Sequence, residues 1–268
     1  MFSRDRKTIV GVLHLPRLLG QVGFAGLGAV VDAALEDARA LEEGGVDALL
    51  VENFADASPG PFVDAGAVAC LAHVCAAVRG AVGLPVGVNV LPNDYRAAFA
   101  LARTCELAFV QLDVLVDAAR TDYTYSDAPP FEVRVDLADL AATRARLGAQ
   151  DVPLWGTVQP KHYALLEPCP LEASIARAAA AGAQAVVITG PATGTAPDPA
   201  RLALARQAAG DLPLVVGSGL DAGNARALLE RCDGAIVGTS LRAPGLGPVV
   251  PAQVRAVVAA AREVHSRR

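Results

Sequence analysis

Five side chains able to move protons stand at, or just beyond, the ends of short apolar runs. His14 follows IVGVL, Glu52 follows ALLV, Asp113 ends FVQLD, and Lys161-His162 come just after WGTVQP. An imidazole near neutral pH can hydrogen-bond, shuttle protons or bind a metal. A carboxylate delivered by an apolar strand is expected in a poorly solvated place, where its charge is costly unless paired or used. Lys161 is the only lysine after Lys7 in a chain that otherwise uses arginine. It is therefore a candidate acid, base or Schiff-base amine. His162 beside it would depress the lysine pKa by like charge or take the proton itself. Polar residues suited to holding a substrate accompany them: Asn89, Asn93, Gln111, Thr157 and Gln159.

A second set of residues reads as an anion grip. LPLVVGSGLDAGNARALLE carries an apolar run into Gly217-Ser218-Gly219, and DGAIVGTSL carries the next run into Gly238-Thr239-Ser240. An earlier run ends in Thr189-Gly190 and is followed by Thr193-Gly194. Glycine lets backbone N–H groups approach an anion, and a helix start adds partial positive charge. Two such turns on successive late strands are how a (β/α)8 barrel holds a phosphate. The predicted phosphate contacts are Gly190, Thr193, Gly194, Ser218, Gly219, Gly238, Thr239 and Ser240.

The elements that would position both sets alternate along the whole chain. Strands are predicted at 9–13, 48–51, 86–90, 108–112, 154–158, 185–188, 214–216 and 234–237. Alanine-rich amphipathic helices are predicted at 28–43, 63–79, 94–103, 136–147, 171–181, 198–209, 221–231 and 249–265. Asp198-Pro199 and Asp221 read as helix starts and Gly44-Gly45 as a stop. Eight strands and eight helices in 268 residues point to one α/β domain over 1–268, a closed (β/α)8 barrel, with an open doubly wound sheet as the alternative. The connection at about 113–135 is long for a compact domain and follows a strand C-terminus, the face where barrel sites form. It carries Tyr123, Tyr125 and Phe131, and it is expected to act as a lid, with Tyr123 and Tyr125 touching the substrate.

Composition narrows the partners. The net charge of −5 argues against nucleic acid and acidic membranes. The five cysteines, with no CxxC, argue against a disulfide framework or structural zinc. Cys70, His73 and Cys75 read as small core residues on a helix. MFSRDRKTIV is no signal peptide and no run has spanning length, so a cytoplasmic protein without membrane insertion is expected. There is no GxGxxG for a dinucleotide and no GxSxG elbow.

The motif series GVLHLPRLLG, DALLVENFADA, PVGVNVLPND, KHY, VITGPATG, VVGSG and IVGTSL, over about residues 8–258, resembles the BtpA family, named for a photosystem I assembly factor. The resemblance implies a (β/α)8 barrel whose members have poorly defined activities, some beside sugar-metabolism proteins. The chain departs from the family pattern in places. Pro92 stands where the family typically has Arg, Gln111-Leu112-Asp113 replaces an Asn-containing run, and Gly156-Thr157-Val158 replaces a run with Asp. Lys161-His162 is kept. These departures imply a divergent branch, with a retained anion site and altered substrate chemistry.

The expected function is acid/base chemistry on a phosphorylated sugar or nucleotide-like small molecule: isomerisation, lyase cleavage or glycosyl transfer. His14, Glu52, Asp113, Lys161 and His162 would be catalytic. No cofactor is expected, though a divalent metal held by His14, Glu52, Asp113 and His162 remains an alternative for a hydrolase or lyase. A further alternative is a non-catalytic phosphate-ligand-binding or assembly protein. Self-association through the outer helices is left open.

Overall fold

The computed structural model describes residues 1–2, 6–122 and 129–264. Tyr123 and Tyr125, expected to contact substrate, lie outside the described residues. Eight parallel strands close into a barrel: β1 (Thr8–His14), β2 (Ala48–Glu52), β3 (Val86–Asn89), β4 (Phe109–Leu112), β7 (Leu154–Thr157), β9 (Ala185–Ile188), β10 (Leu214–Val216) and β11 (Gly234–Val237). They stand in sequence order around the ring, and β1 pairs with both β2 and β11. Closure removes every edge, which an open doubly wound sheet would leave.

Helices follow the strands: α1 (Leu27–Gly44), α2 (Ala65–Ala81), α3 (Tyr95–Thr104), α4 (Leu137–Arg146), α5 (Leu171–Ala180), α6 (Pro199–Ala209), α7 (Ala225–Leu229) and α8 (Pro251–Arg262). Aspartates start several of them. Asp64, Asp94, Asp136 and Asp198 each accept a first-turn backbone N–H, and Pro199 sits where a helix can spare its N–H. Gly45 ends α1 in the left-handed conformation. Asp221 does not start a helix as predicted. Its carboxylate accepts from the N–H groups of Gly223 and Asn224, closing a turn, and α7 is confined to Ala225–Leu229. No helix among the described residues is long and apolar enough to cross a membrane.

The strand period of two decides what faces the barrel interior. Val10 and Val12 of β1, Ala48 and Leu50 of β2, Phe109, Trp155, Ala185, Val187, Val215 and Ile236 form one buried cluster there. Phe109 stacks on Trp155 with centroids 4.0 Å apart, and Phe2 tilts against Trp155 at 5.0 Å. Gly87 makes room for this stack, since a Cβ there would lie 2.4 Å from the Phe109 ring. The remaining apolar faces of the strands pack against the helices in a larger outer cluster.

The long β4–α4 connection contains two short strands the sequence reading missed, β5 (Ala119–Thr121) and β6 (Glu132–Val133). With β8 (Tyr163–Leu165) they make a small antiparallel sheet in the order β6-β5-β8. Strands of two or three residues carry no detectable alternation. The roots of the connection are therefore sewn to the β7–α5 connection. The N–H of Asp122 donates to the His162 carbonyl at 2.6 Å, and that of Leu166 to Ala118 at 2.9 Å. Buried Asp117 anchors the same region, accepting from the Ser174 hydroxyl, the Arg177 guanidinium and the Gln159 N–H.

Candidate functional site

Carrying the interior parity one step further along each strand places His14 on β1, Glu52 on β2, Asn89 on β3, Gln111 and then Asp113 on β4, and Thr157 on β7. The register agrees: His14 pairs with Glu52, and Glu52 with Asn89. The apolar interior thus ends in a polar layer at the C-terminal mouth, the face where barrel enzymes work. At the same level β10 and β11 supply Gly217 and Gly238 instead of side chains. A Cβ at Gly238 would lie 2.6 Å from His14 Cε1, and one at Gly217 would lie 2.5 Å from Val187 Cγ1. These glycines therefore serve close packing as well as any ligand.

Hydrogen bonds tie the layer together. Asn89 Nδ2 donates to Glu52 Oε2 at 3.4 Å and to Asp113 Oδ1 at 3.2 Å. Gln111 Nε2 donates to the same Asp113 oxygen at 3.0 Å and to Thr157 Oγ1 at 2.9 Å. Gln111 and Thr157 are buried and hold Asp113 in place. They do not line the cavity, nor does Asn89. His14 Nε2 lies 3.9 Å from Glu52 Oε1.

The electrostatics of the layer follow from burial and neighbours. Burial raises the Glu52 carboxyl to about 7; the Asp113 charge adds to the rise, while Lys161 and the Asn89 hydrogen bond oppose it. Burial, aided by the positive charges of Arg242 and Lys161, lowers the His14 imidazole to about 3. His14 is therefore neutral, and its approach to Glu52 is a polar contact rather than an ion pair. Burial and Lys161 also lower His162, with Asp113 and Asp122 pulling the other way.

A cavity of about 660 Å³ opens above this layer. His14, Glu52, Asp113, Lys161 and His162 line it together with Thr193, Gly194, Ser218, Gly219, Gly238, Thr239 and Ser240. All five proton-moving candidates thus share one chamber with the two late glycine turns. His162 Nε2 meets Thr193 Oγ1 at 2.9 Å, joining the two sets.

Not every expected anion contact is available. The Gly190 N–H donates to Ser218 Oγ at 2.8 Å, and that hydroxyl donates to the Thr195 carbonyl at 2.9 Å. Ser240 Oγ donates to the Leu220 carbonyl at 2.6 Å. Gly190 faces a neighbouring pocket, and the Ser218 and Ser240 hydroxyls brace the turns internally. Gly219 has φ +68°, and a Cβ there would sit 2.0 Å from the Ala196 nitrogen. Only glycine fits that packing. The N–H groups of Gly194, Gly219, Thr239 and Ser240 have no partner among the described residues.

Two more predicted substrate contacts, beyond Asn89, Gln111 and Thr157, are used structurally. Asn93 exchanges two 2.9 Å hydrogen bonds with the Val114 backbone, pinning the loop after β3 to the long connection. Gln159 donates to the Cys169 carbonyl and to Ser174, outside the central cavity. The sequence reading missed Arg17 and Asp56, which line the mouth from loops following β1 and β2. The rule that loops after strand C-termini build the site could have found them. It also missed the buried pair Arg242–Asp37, at 2.6 Å. Arg242 donates further to the carbonyls of Gly247 and Val12, locking the segment after the Gly238 turn against β1 and α1.

Among the described residues no three His, Cys, Asp or Glu side chains are grouped to hold a metal ion. Cys70 and Cys75 are buried in α2, in the outer core.

Comparison with other proteins agrees with this architecture. The model of the BtpA family matches residues 5–263. An uncharacterized protein of Thermococcus kodakarensis is 37% identical over 245 residues, covering 90% of this chain and 89% of its own length. The photosystem I biogenesis protein BtpA of Synechocystis is 33% identical over 240 residues, covering 88% and 81%. The structure of (S)-3-O-geranylgeranylglyceryl phosphate synthase from Thermoplasma acidophilum, in complex with sn-glycerol-1-phosphate, has the same fold. Its TM-score is 0.60 at 15% identity, with 97% of this chain and 95% of that chain covered. On its sequence, the chain belongs to the BtpA family.

Proposed function

We propose that the chain is an enzyme that moves protons on a phosphorylated sugar or nucleotide-like small molecule. The observation that carries the reading is the shared cavity. A carboxyl titrating near 7, a lysine and a neutral imidazole line it, together with residues whose backbone N–H groups have no partner among the described residues. A general acid or base works best when its pKa lies near the operating pH. The glyceryl phosphate synthase of the same fold, with its phosphorylated substrate, is consistent with this ligand class.

In this reading the phosphate rests on the N–H groups of Gly194, Gly219, Thr239 and Ser240, remote from the reacting bond, and its binding energy positions the substrate. Glu52 takes a proton from carbon beside a carbonyl or anomeric centre and returns it. Lys161 stabilises the negative charge that develops on oxygen. Burial, with the Asp113 charge adding to it, keeps the Glu52 carboxyl protonatable near neutrality. His14, being neutral, orients the substrate by hydrogen bonding. Isomerisation and lyase cleavage use this carbon–proton step, whereas glycosyl transfer would use the same carboxyl to protonate the leaving atom at the anomeric carbon.

The name of the Synechocystis relative favours a second reading, a ligand-binding assembly protein. A thermal-stability panel of phosphorylated sugars and nucleotides separates the two. The enzyme reading expects stabilisation of the wild type, of Glu52→Gln and of Lys161→Ala, with turnover in the wild type alone. Stabilisation without turnover by any protein favours the assembly reading, and no stabilisation by any phosphorylated compound refutes both.

A further inference from the structure

Beside the central cavity lies a second pocket of about 780 Å³, and the two share Lys161, His162 and Tyr163 as a common wall. Arg201, on the first turn of α6, lines this outer pocket and is half-buried. Among the described residues its guanidinium hydrogen-bonds only to Gln159, at 3.3 Å to the side-chain oxygen and 3.5 Å to the carbonyl, and it feels the charge of Asp117 without pairing with it. Both contacts are long for a charged donor. No carboxylate among the described residues pairs with it.

The acids nearby are engaged or balanced. Asp117 is held by Arg177, Ser174 and the Gln159 N–H. Asp198 gives one oxygen to the Ala200 N–H at 2.7 Å. Asp122 and Asp198 together offset Lys161 and Arg201 in the lining, so an anion would be recognised by direct contact with the guanidinium rather than by net charge. The Ala192 N–H, in the same lining, also has no partner among the described residues. A half-buried cation with five donors, two long hydrogen bonds to one neutral residue and no direct carboxylate pair among the described residues has unused capacity for a planar or tetrahedral anion.

We propose that Arg201 makes the outer pocket a second anion subsite, which takes a carboxylate or phosphate at the far end of the ligand. As a statement about one doubly charged ligand, it rests on the reading that the ligand's phosphate occupies the glycine turns. Lys161 then stands between two anchored ends, where the reacting carbons would lie.

The test uses inorganic phosphate and equilibrium dialysis on the intact chain. The wild type is expected to bind two equivalents. Arg201→Gln should weaken one of them by about 10-fold or more, with an unchanged melting temperature showing that the fold is kept. Arg201→Lys should retain both, one of them weakened. Thr239→Asp should remove the other equivalent by placing a carboxylate at the turn. A single equivalent in the wild type that ignores Arg201→Gln overturns this proposal and leaves the glycine-turn site standing. A single equivalent that is lost with Arg201→Gln and ignores Thr239→Asp supports Arg201 and refutes the turn site. No binding at all overturns both.

Discussion

Glu52→Gln should change stability in a way that depends on pH, and the size of the effect follows from the burial of the carboxyl. The folded chain holds the Glu52 proton up to about 7, against an ordinary value of 4.5. Below 4.5 the group is protonated in both folded and unfolded chains, and its contribution is constant. Between 4.5 and 7 the unfolded chain releases the proton and the folded chain keeps it, so the folded state loses stability as pH rises. At about 1.4 kcal/mol per pH unit, the loss reaches ~3 kcal/mol above pH 7. Glutamine has nearly the same shape and can still accept from Asn89, but it has no such proton. Equilibrium urea unfolding of both proteins at intervals from pH 4 to pH 9 measures the difference. The variant should gain on the wild type by ~3 kcal/mol across that range, with the change centred between 4.5 and 7. A difference that stays flat across the range would show that Glu52 titrates as an exposed glutamate does, and the acid/base reading would lose its central group.

Other outcomes follow from named contacts. Gly238→Ala should lower stability by about 1–3 kcal/mol, because its Cβ would overlap the His14 ring. Combining it with His14→Ala should restore part of the loss in thermal melts, and strictly additive losses would place the overlap elsewhere. Asp113→Asn removes the like charge beside Glu52 and should shift the stability transition described above toward lower pH; an unmoved transition contradicts the coupling. Arg242→Met leaves Asp37 buried without its partner and should cost about 3–5 kcal/mol in denaturant unfolding, whereas a cost under about 1 kcal/mol would mean the pair is not needed.

The barrel was legible because the strands are short apolar runs and most of the helices are alanine-rich stretches between them. Strand parity then carries sequence directly into the site: His14, Glu52 and Asp113 reach the mouth because Val10, Leu50 and Phe109 fill the interior below them. What sequence could not show was which polar groups are already used. Asn93 and Gln159 look like ligands for a substrate and are hydrogen-bonded to the protein's own backbone. Gly190 and Ser218 look like a phosphate cradle and brace one another. Such pairings join residues up to tens of positions apart through loop geometry, which periodicity does not encode. The missed strands β5, β6 and β8 failed for a different reason, being too short to show a pattern.

The most direct test of proton transfer at Glu52 is hydrogen exchange at carbon. Phosphorylated sugars and nucleotides that stabilise the protein are incubated with it in deuterated water and followed by proton NMR and mass spectrometry. Deuterium is expected at the carbon beside the carbonyl or anomeric centre of at least one ligand, with exchange slowed by about 10²-fold or more in Glu52→Gln while binding persists. Ligands that bind the wild type yet neither exchange nor turn over, or exchange that proceeds equally in Glu52→Gln, would contradict it.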